Sequence, residues 1–206
     1  MKMRMNLPNW LSISRIAIAP VFFLMIISED KTMIINGCIL YFIGASTDYI
    51  DGWLARKYGA ESSLGKFLDP LADKILTTAA FFTMYTLEMI PLWMIIVVII
   101  RDLAITALRI GAESRGLHVK TLYSAQVKTF IQMTFQMIVF SLLLLESVFK
   151  SGFFNNIIFF RIAGTNATTF VMFLITIITI WTLVEYIILN NKTISLIFFD
   201  AGKKNN

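Results

Sequence analysis

The chain has 206 residues, 57% of them hydrophobic and 15% charged, with a mean hydropathy of +0.75, whereas an ordinary soluble domain is about 25% charged. That balance excludes a water-soluble globule, and the length predicts a single polytopic membrane domain over residues 1–206. Eighteen Lys and Arg against thirteen Asp and Glu give a net charge of +5, which in a membrane protein reflects basic cytoplasmic loops and excludes a nucleic-acid partner.

In chain order, residues 1–15 come first, where Asn6-Leu7-Pro8-Asn9-Trp10-Leu11-Ser12 mixes Trp with polar residues before Arg15. This composition predicts a short amphipathic segment on the bilayer surface. Apolar runs of roughly 17–25 residues mark membrane spans, and six are predicted: 16–28, running short and bent at Pro20, then 36–54, 70–87, 90–108, 127–146 and 167–189. The fold class is therefore all-α with six transmembrane helices. The lone Cys38 falls in the second span, so neither an intrachain disulfide nor a Cys-based metal site can form. The stretch 150–166, with Phe153, Phe154, Phe159 and Phe160 among Asn and Gly, is too polar to span and is expected along the outer interface. Residues 200–206 read as a flexible tail.

With six spans both termini share a side. Thirteen basic residues fall on that side, three (Lys31, Lys150, Arg161) on the other, and Lys74 and Arg101 within or at the ends of spans. The positive-inside rule then puts both termini and the loops near 57–66 and 110–125 in the cytoplasm, as expected for a protein of the cytoplasmic (inner) membrane.

Spans two and three carry the chemistry. Asp48 and Asp51 are three apart and Asp69 and Asp73 four apart, so each pair shares a helix face. Carboxylates in apolar helices cost several kcal/mol unless something offsets them, and are functional by default. A short loop from Lys57 to about Gly65 makes the two helices antiparallel neighbours, which brings all four acids to one cytoplasmic mouth. Four such charges at low dielectric take up protons or bind cations, and two divalent ions would balance them. The donors are all hard oxygens and the only histidine, His118, lies in another loop, so Mg²⁺ or Mn²⁺ fits and Zn²⁺ does not. Such ions commonly bridge phosphate oxygens. Arg56, one turn past Asp51, offers bidentate donors to a phosphate. Gly52 and Ala55 leave a helix surface without bulk where a nucleotide can approach, Gly65 does the same on the facing helix, and Asp69-Pro70 reads as an N-cap followed by a first helical residue.

Residues 48–73 read D-x2-D-G-x2-A-R-x8-G-x3-D-x3-D. Eight fixed positions at fixed spacing arise by chance with a probability on the order of 10⁻⁸ in a chain of this length. The pattern is similar to the signature of the CDP-alcohol phosphotransferase family. The resemblance implies six transmembrane helices, a cytoplasm-facing site and a homodimer. It further implies that a CDP-linked lipid is bound among membrane lipids and that an acceptor alcohol attacks its β-phosphorus, releasing CMP. By position, Asp48, Asp51, Asp69 and Asp73 would hold two Mg²⁺ ions, with Asp73 also taking the proton from the acceptor hydroxyl. Gly52, Arg56 and Ser62 match nucleotide and diphosphate contacts of the family, with Thr47 and Asn9 beside them.

Asn6-Leu7-Pro8-Asn9-Trp10-Leu11-Ser12, the run Asp69-Pro70-Leu71-Ala72-Asp73-Lys74, and Arg101-Asp102 followed by Arg109 resemble the members that transfer a phosphatidyl group from CDP-diacylglycerol to sn-glycerol 3-phosphate. That acceptor is a phosphate dianion and requires a basic pocket, which Arg101, Arg109 and Lys128 would line. One departure stands out: where most relatives carry Gly-Lys-x-Lys-Thr, this chain has Ala125-Gln126-Val127-Lys128-Thr129. Competing readings are another acceptor within the family (inositol phosphate, inositol, serine or choline) and a Mg-dependent membrane prenyltransferase. The latter carries two Asp-rich motifs far apart, whereas here Asp102 and Asp200 stand alone. A cation transporter would leave Arg56 unexplained and should show broken helices in two repeats, which this sequence lacks.

Overall fold

The computed structural model describes the backbone of residues 7–28, 30–58, 65–117, 119–120, 122–149 and 155–199, and their side chains except at 7–9, 11, 48–58, 65–70, 155–166, 192 and 197–199. The described residues are all-α, without strands: α1 (Leu7–Ile26), α2 (Lys31–Tyr58), α3 (Gly65–Thr86), α4 (Leu92–Glu113), α5 (Tyr123–Val148), α6 (Asn155–Leu189) and α7 (Asn191–Phe199). They fall into two compact units, one of Met1–Pro91 with Phe135–Thr168, the other of Leu92–Thr134 with Thr169–Asn206.

In the first unit α1 packs against both α2 and α3. Ser12, Arg15, Ala19, Phe22 and Ile26 are all buried, and their spacing of three and four puts them on one helix face. Close approach is secured by glycine. A Cβ on Gly37 would lie 2.7 Å from Ile26 Cγ1 and 3.3 Å from the Ile26 backbone nitrogen, and one on Gly44 would lie 3.3 Å from both Ile18 and Leu76. Phe22, Tyr41 and Phe140 form an aromatic cluster with centroids 4.4–6.0 Å apart. Beside it the Tyr41 hydroxyl donates to Gln136 Oε1 at 3.3 Å, and Gln136 Nε2 donates to the Thr77 carbonyl at 3.1 Å. This satisfies polar groups that would otherwise be buried at a cost of several kcal/mol. Asp30 caps α2, its carboxylate accepting from the Thr32 N–H at 3.0 Å.

The second unit is built differently. The buried face of α4 holds Met94, Ile95, Val98 and Ile105, but also Arg101 and Asp102. The opposite face exposes Trp93, Ile96, Ile100 and Leu103. On α6, Thr176, Thr179 and Thr182 point inward while Phe170, Leu174, Ile177, Trp181, Val184 and Ile188 point outward. Large apolar side chains outside, with charged and hydroxylated ones among the buried residues, depart from the pattern of a soluble helix and are consistent with a membrane protein. The turn after α4 closes on Gly116, whose φ of +68° lets the Leu117 N–H reach the Ala112 carbonyl at 2.9 Å. The turn after α3 closes the same way on Glu88, at φ +59°.

Two described helices are long and apolar enough to cross a membrane, Tyr123–Val148 and Ala167–Leu189, and Ser12–Ile26 is a shorter apolar helix. Three boundaries differ from expectation. The N-terminal surface segment and first span are one helix from Leu7, running through Pro20, because Ser12 and Arg15 belong to the same buried stripe as Phe22 and Ile26. α3 begins at Gly65, so Asp69 and Pro70 lie in its second turn and are not its cap. Pro70 there gives up the hydrogen bond to the Lys66 carbonyl and crowds that carbonyl, although its fixed φ is itself helical. Finally, the stretch expected along the outer interface is helical from Asn155 and continuous with the last span. Between Asn155 and Leu189 there is no proline, and the one glycine, Gly164, is too weak a breaker to stop a helix of 35 residues, about 52 Å long.

Candidate active site

The end of α2 carries Thr47, Asp48, Asp51, Gly52, Ala55 and Arg56, and the start of α3 carries Gly65, Asp69 and Asp73. Gly44 of α2 faces Leu76 of α3, so one turn further towards the connection α2 reaches Asp48 and α3 reaches Asp73. The helix backbones thus bear the whole signature at one end of the α2–α3 pair. Side chains of Asn9, Asp48, Asp51, Gly52, Ala55, Arg56, Gly65 and Asp69, and all of Ser62, lie outside the described residues.

Two members of the set are described in full. Thr47 is half-buried and donates its hydroxyl to the Gly44 carbonyl at 2.7 Å, leaving only lone pairs for a ligand. Asp73 is likewise half-buried, with one carboxylate oxygen 3.3 Å from Lys74 Nζ. A carboxylate, oxygen-only and within reach of solvent, is the donor chemistry that Mg²⁺ or Mn²⁺ accepts. No group of three metal-ligating side chains occurs among the described residues, where Asp73 is the sole member of the expected four.

The basic residues expected to meet the acceptor separate into two environments. Arg101 and Lys128 are buried, at 5% and 1% exposure, and come together on Asp102, itself 5% exposed. Lys128 Nζ donates to both Asp102 oxygens, at 2.9 and 3.1 Å, and Arg101 Nη1 to one of them at 3.0 Å. Arg101 Nη2 donates to Thr182 Oγ1 at 2.9 Å. Two cations thus share one carboxylate in an interior where charge is expensive. Three buried polar atoms in the same unit, Arg101 Nε, Gln132 Oε1 and the Tyr186 hydroxyl, have no hydrogen-bond partner among the described residues. Gln132 is one turn beyond Lys128 on α5, and Tyr186 one turn beyond Thr182 on α6. Arg109, two turns past Arg101, is exposed.

The departure from the usual Lys-rich run is now placed. Gln126 is exposed, while Lys128 is the buried member of the run. Asp102, which stands alone in the sequence, is the centre of the group in the structure. An Arg-Asp pair inside an apolar span is the available signal, since an acid there requires a cation, but no local pattern identifies Lys128 or Thr182 as the partners.

Around this group the helix ends are tied. Ser124, in the first turn of α5, donates to Glu185 of α6, and the Lys120 N–H donates to Asn190 Oδ1 at 3.0 Å. Asn190, buried between α6 and α7, also donates from Nδ2 to the Tyr186 carbonyl at 3.1 Å. These contacts fix where α5 enters the unit and therefore where Lys128 sits.

A family model described as CDP-alcohol phosphatidyltransferase matches residues 5–198. The chain belongs to the CDP-alcohol phosphatidyltransferase family. It is 36% identical over 139 residues, 62% of this chain and 72% of the relative, to a CDP-diacylglycerol--glycerol-3-phosphate 3-phosphatidyltransferase of Bacillus subtilis (strain 168). A protein of the same name from Rickettsia bellii is 34% identical over 135 residues, 65% of this chain and 74% of the relative. A probable cardiolipin synthase (CMP-forming) of Drosophila melanogaster is 34% identical over 99 residues, 48% of this chain but 30% of that protein. The chain is thus a membrane-type phosphatidyltransferase by family.

Proposed function

We propose that this enzyme transfers the phosphatidyl group of CDP-diacylglycerol to sn-glycerol 3-phosphate, giving phosphatidylglycerophosphate and CMP. It would act as a six-span homodimer in the cytoplasmic membrane, with the site and both termini facing the cytoplasm. The observation that carries the reading is the family signature borne by the end of α2 and the start of α3 in a chain whose relatives bear the glycerol-3-phosphate name.

Asp48, Asp51, Asp69 and Asp73 would hold two Mg²⁺ ions, or Mn²⁺. When bound, such ions neutralise the diphosphate and polarise its phosphorus. The chain's own residues do the rest. Arg56 donates to the diphosphate and to the departing CMP oxygen, while Gly52, Ala55 and Gly65 leave room for the nucleotide, with Thr47, Ser62 and Asn9 as further contacts. Asp73 accepts the proton of the glycerol hydroxyl as that oxygen bonds to the β-phosphorus and the bond to CMP breaks. Arg101, Arg109 and Lys128 receive the acceptor's phosphate.

The test is CMP release by purified protein given CDP-diacylglycerol and Mg²⁺. The reading expects release only when sn-glycerol 3-phosphate is added, loss on chelation and recovery on Mg²⁺ return. Release without any acceptor, or undiminished by chelation, contradicts it.

A further inference from the structure

Asp102 has no place in the transfer chemistry, yet it organises the most buried charges of the second unit. Neighbouring residues on a helix point about 100° apart, so Arg101 must curl back for Nη1 to reach Asp102 Oδ1 at 3.0 Å. Its other terminal nitrogen is held by Thr182 Oγ1 at 2.9 Å. Thr182 donates its own proton to the Thr179 carbonyl at 3.0 Å, so a lone pair is turned to the guanidinium. The guanidinium is thereby fixed at both Nη1 and Nη2, and its Nε–H, buried, has no partner among the described residues. Across the unit's interior, Lys128 is held by both Asp102 oxygens.

Stability alone is a poor reason for this arrangement. Buried ion groups are commonly replaceable by apolar residues at no loss. Without the acid, two like charges would repel strongly at low dielectric and could not share one place. With it, they share a place and leave a buried guanidinium N–H without a partner among the described residues, which is an arrangement suited to an anion. We propose that Asp102 is a positioning residue for acceptor binding, holding Arg101 and Lys128 together so that both meet the phosphate of sn-glycerol 3-phosphate. This rests on the reading that these two cations receive that phosphate.

The test is Asp102→Asn, which keeps shape and removes charge, with Asp102→Glu as the conservative variant. Steady-state CMP release is measured while each substrate is varied. We expect the KM for sn-glycerol 3-phosphate to rise about tenfold or more in Asp102→Asn while that for CDP-diacylglycerol stays within about twofold, and Asp102→Glu to recover part of the difference. Thermal denaturation gives an activity-independent readout. Glycerol 3-phosphate alone should raise the Tm of the unsubstituted enzyme but not of Asp102→Asn, whereas CDP with Mg²⁺ should raise both, which also shows the variant to be folded. An unchanged acceptor KM, or equal rises in both KM values, overturns the proposal. So does loss of the CDP effect in Asp102→Asn and Asp102→Glu alike, which would make the residue structural. If the unsubstituted enzyme releases no CMP with glycerol 3-phosphate, the functional reading fails and this proposal with it. If it does and Asp102→Asn matches it, only the proposal fails.

Discussion

The two units bury different things. In the first, helices meet through glycines, an aromatic trio and the hydrogen-bonded Gln136, with Arg15 of α1 as its buried charge, and its polar signature is strung along the end of one helix and the start of the next. The second unit gathers Arg101, Asp102, Lys128 and Thr182 from three helices into its interior. A site made from contiguous residues is written in the spacing of the chain, while one made from remote residues exists only once the helices have packed.

The largest effects should come from the contiguous site. Asp73→Asn is expected to lower turnover by about a thousandfold, inside the usual range for loss of a general base. Asn keeps the shape of a side chain that is 20% exposed, so the melting temperature should move little. Retained turnover would remove Asp73 from the base role. Next comes Arg109→Ala. Because Arg109 is exposed, the change should leave stability unaltered and raise the KM for glycerol 3-phosphate several-fold more than that for CDP-diacylglycerol, as steady-state kinetics would show. An equal effect on both substrates would separate Arg109 from the acceptor.

The smallest predicted effects contrast packing in the two units. At Gly37 a methyl group would press on the last turn of α1, 2.7 Å from Ile26 Cγ1 and 3.1 Å from Met25 Cβ, so Gly37→Ala should destabilise by roughly 1–3 kcal/mol. At Gly111 an added Cβ meets nothing within 4 Å among the described residues. There the substitution should stabilise α4 by about 0.5–1 kcal/mol, the ordinary gain of alanine over glycine in a helix. Denaturation midpoints of the two variants should therefore move in opposite directions, and a shift of the same sign would show that the glycine contacts do not govern packing as described.

Legibility follows the same division. The all-α class and the placement of Asp48, Asp51, Asp69 and Asp73 on two consecutive helices can be read from runs and spacing, because those depend on neighbours three or four residues away. Arg15 misleads: Trp10, Pro8 and the asparagines around it read as an interfacial segment, whereas the spacing from Ser12 through Ile26 is what decides that it is buried. Asp102 escapes assignment for a different reason. Its partner Lys128 lies 26 residues away, and Arg101 meets Thr182 across 81 residues, separations at which a sequence shows the need for a partner but not its identity.

The most direct test of the central claim is product identity under competition. Purified enzyme in vesicles would receive CDP-diacylglycerol and Mg²⁺ with equimolar glycerol 3-phosphate, inositol phosphate, inositol, serine and choline, and the lipid products would be identified by mass spectrometry. The account predicts phosphatidylglycerophosphate as the dominant product, matched mole for mole by CMP. A different phosphatidyl ester, or CMP without any new phospholipid, would contradict it.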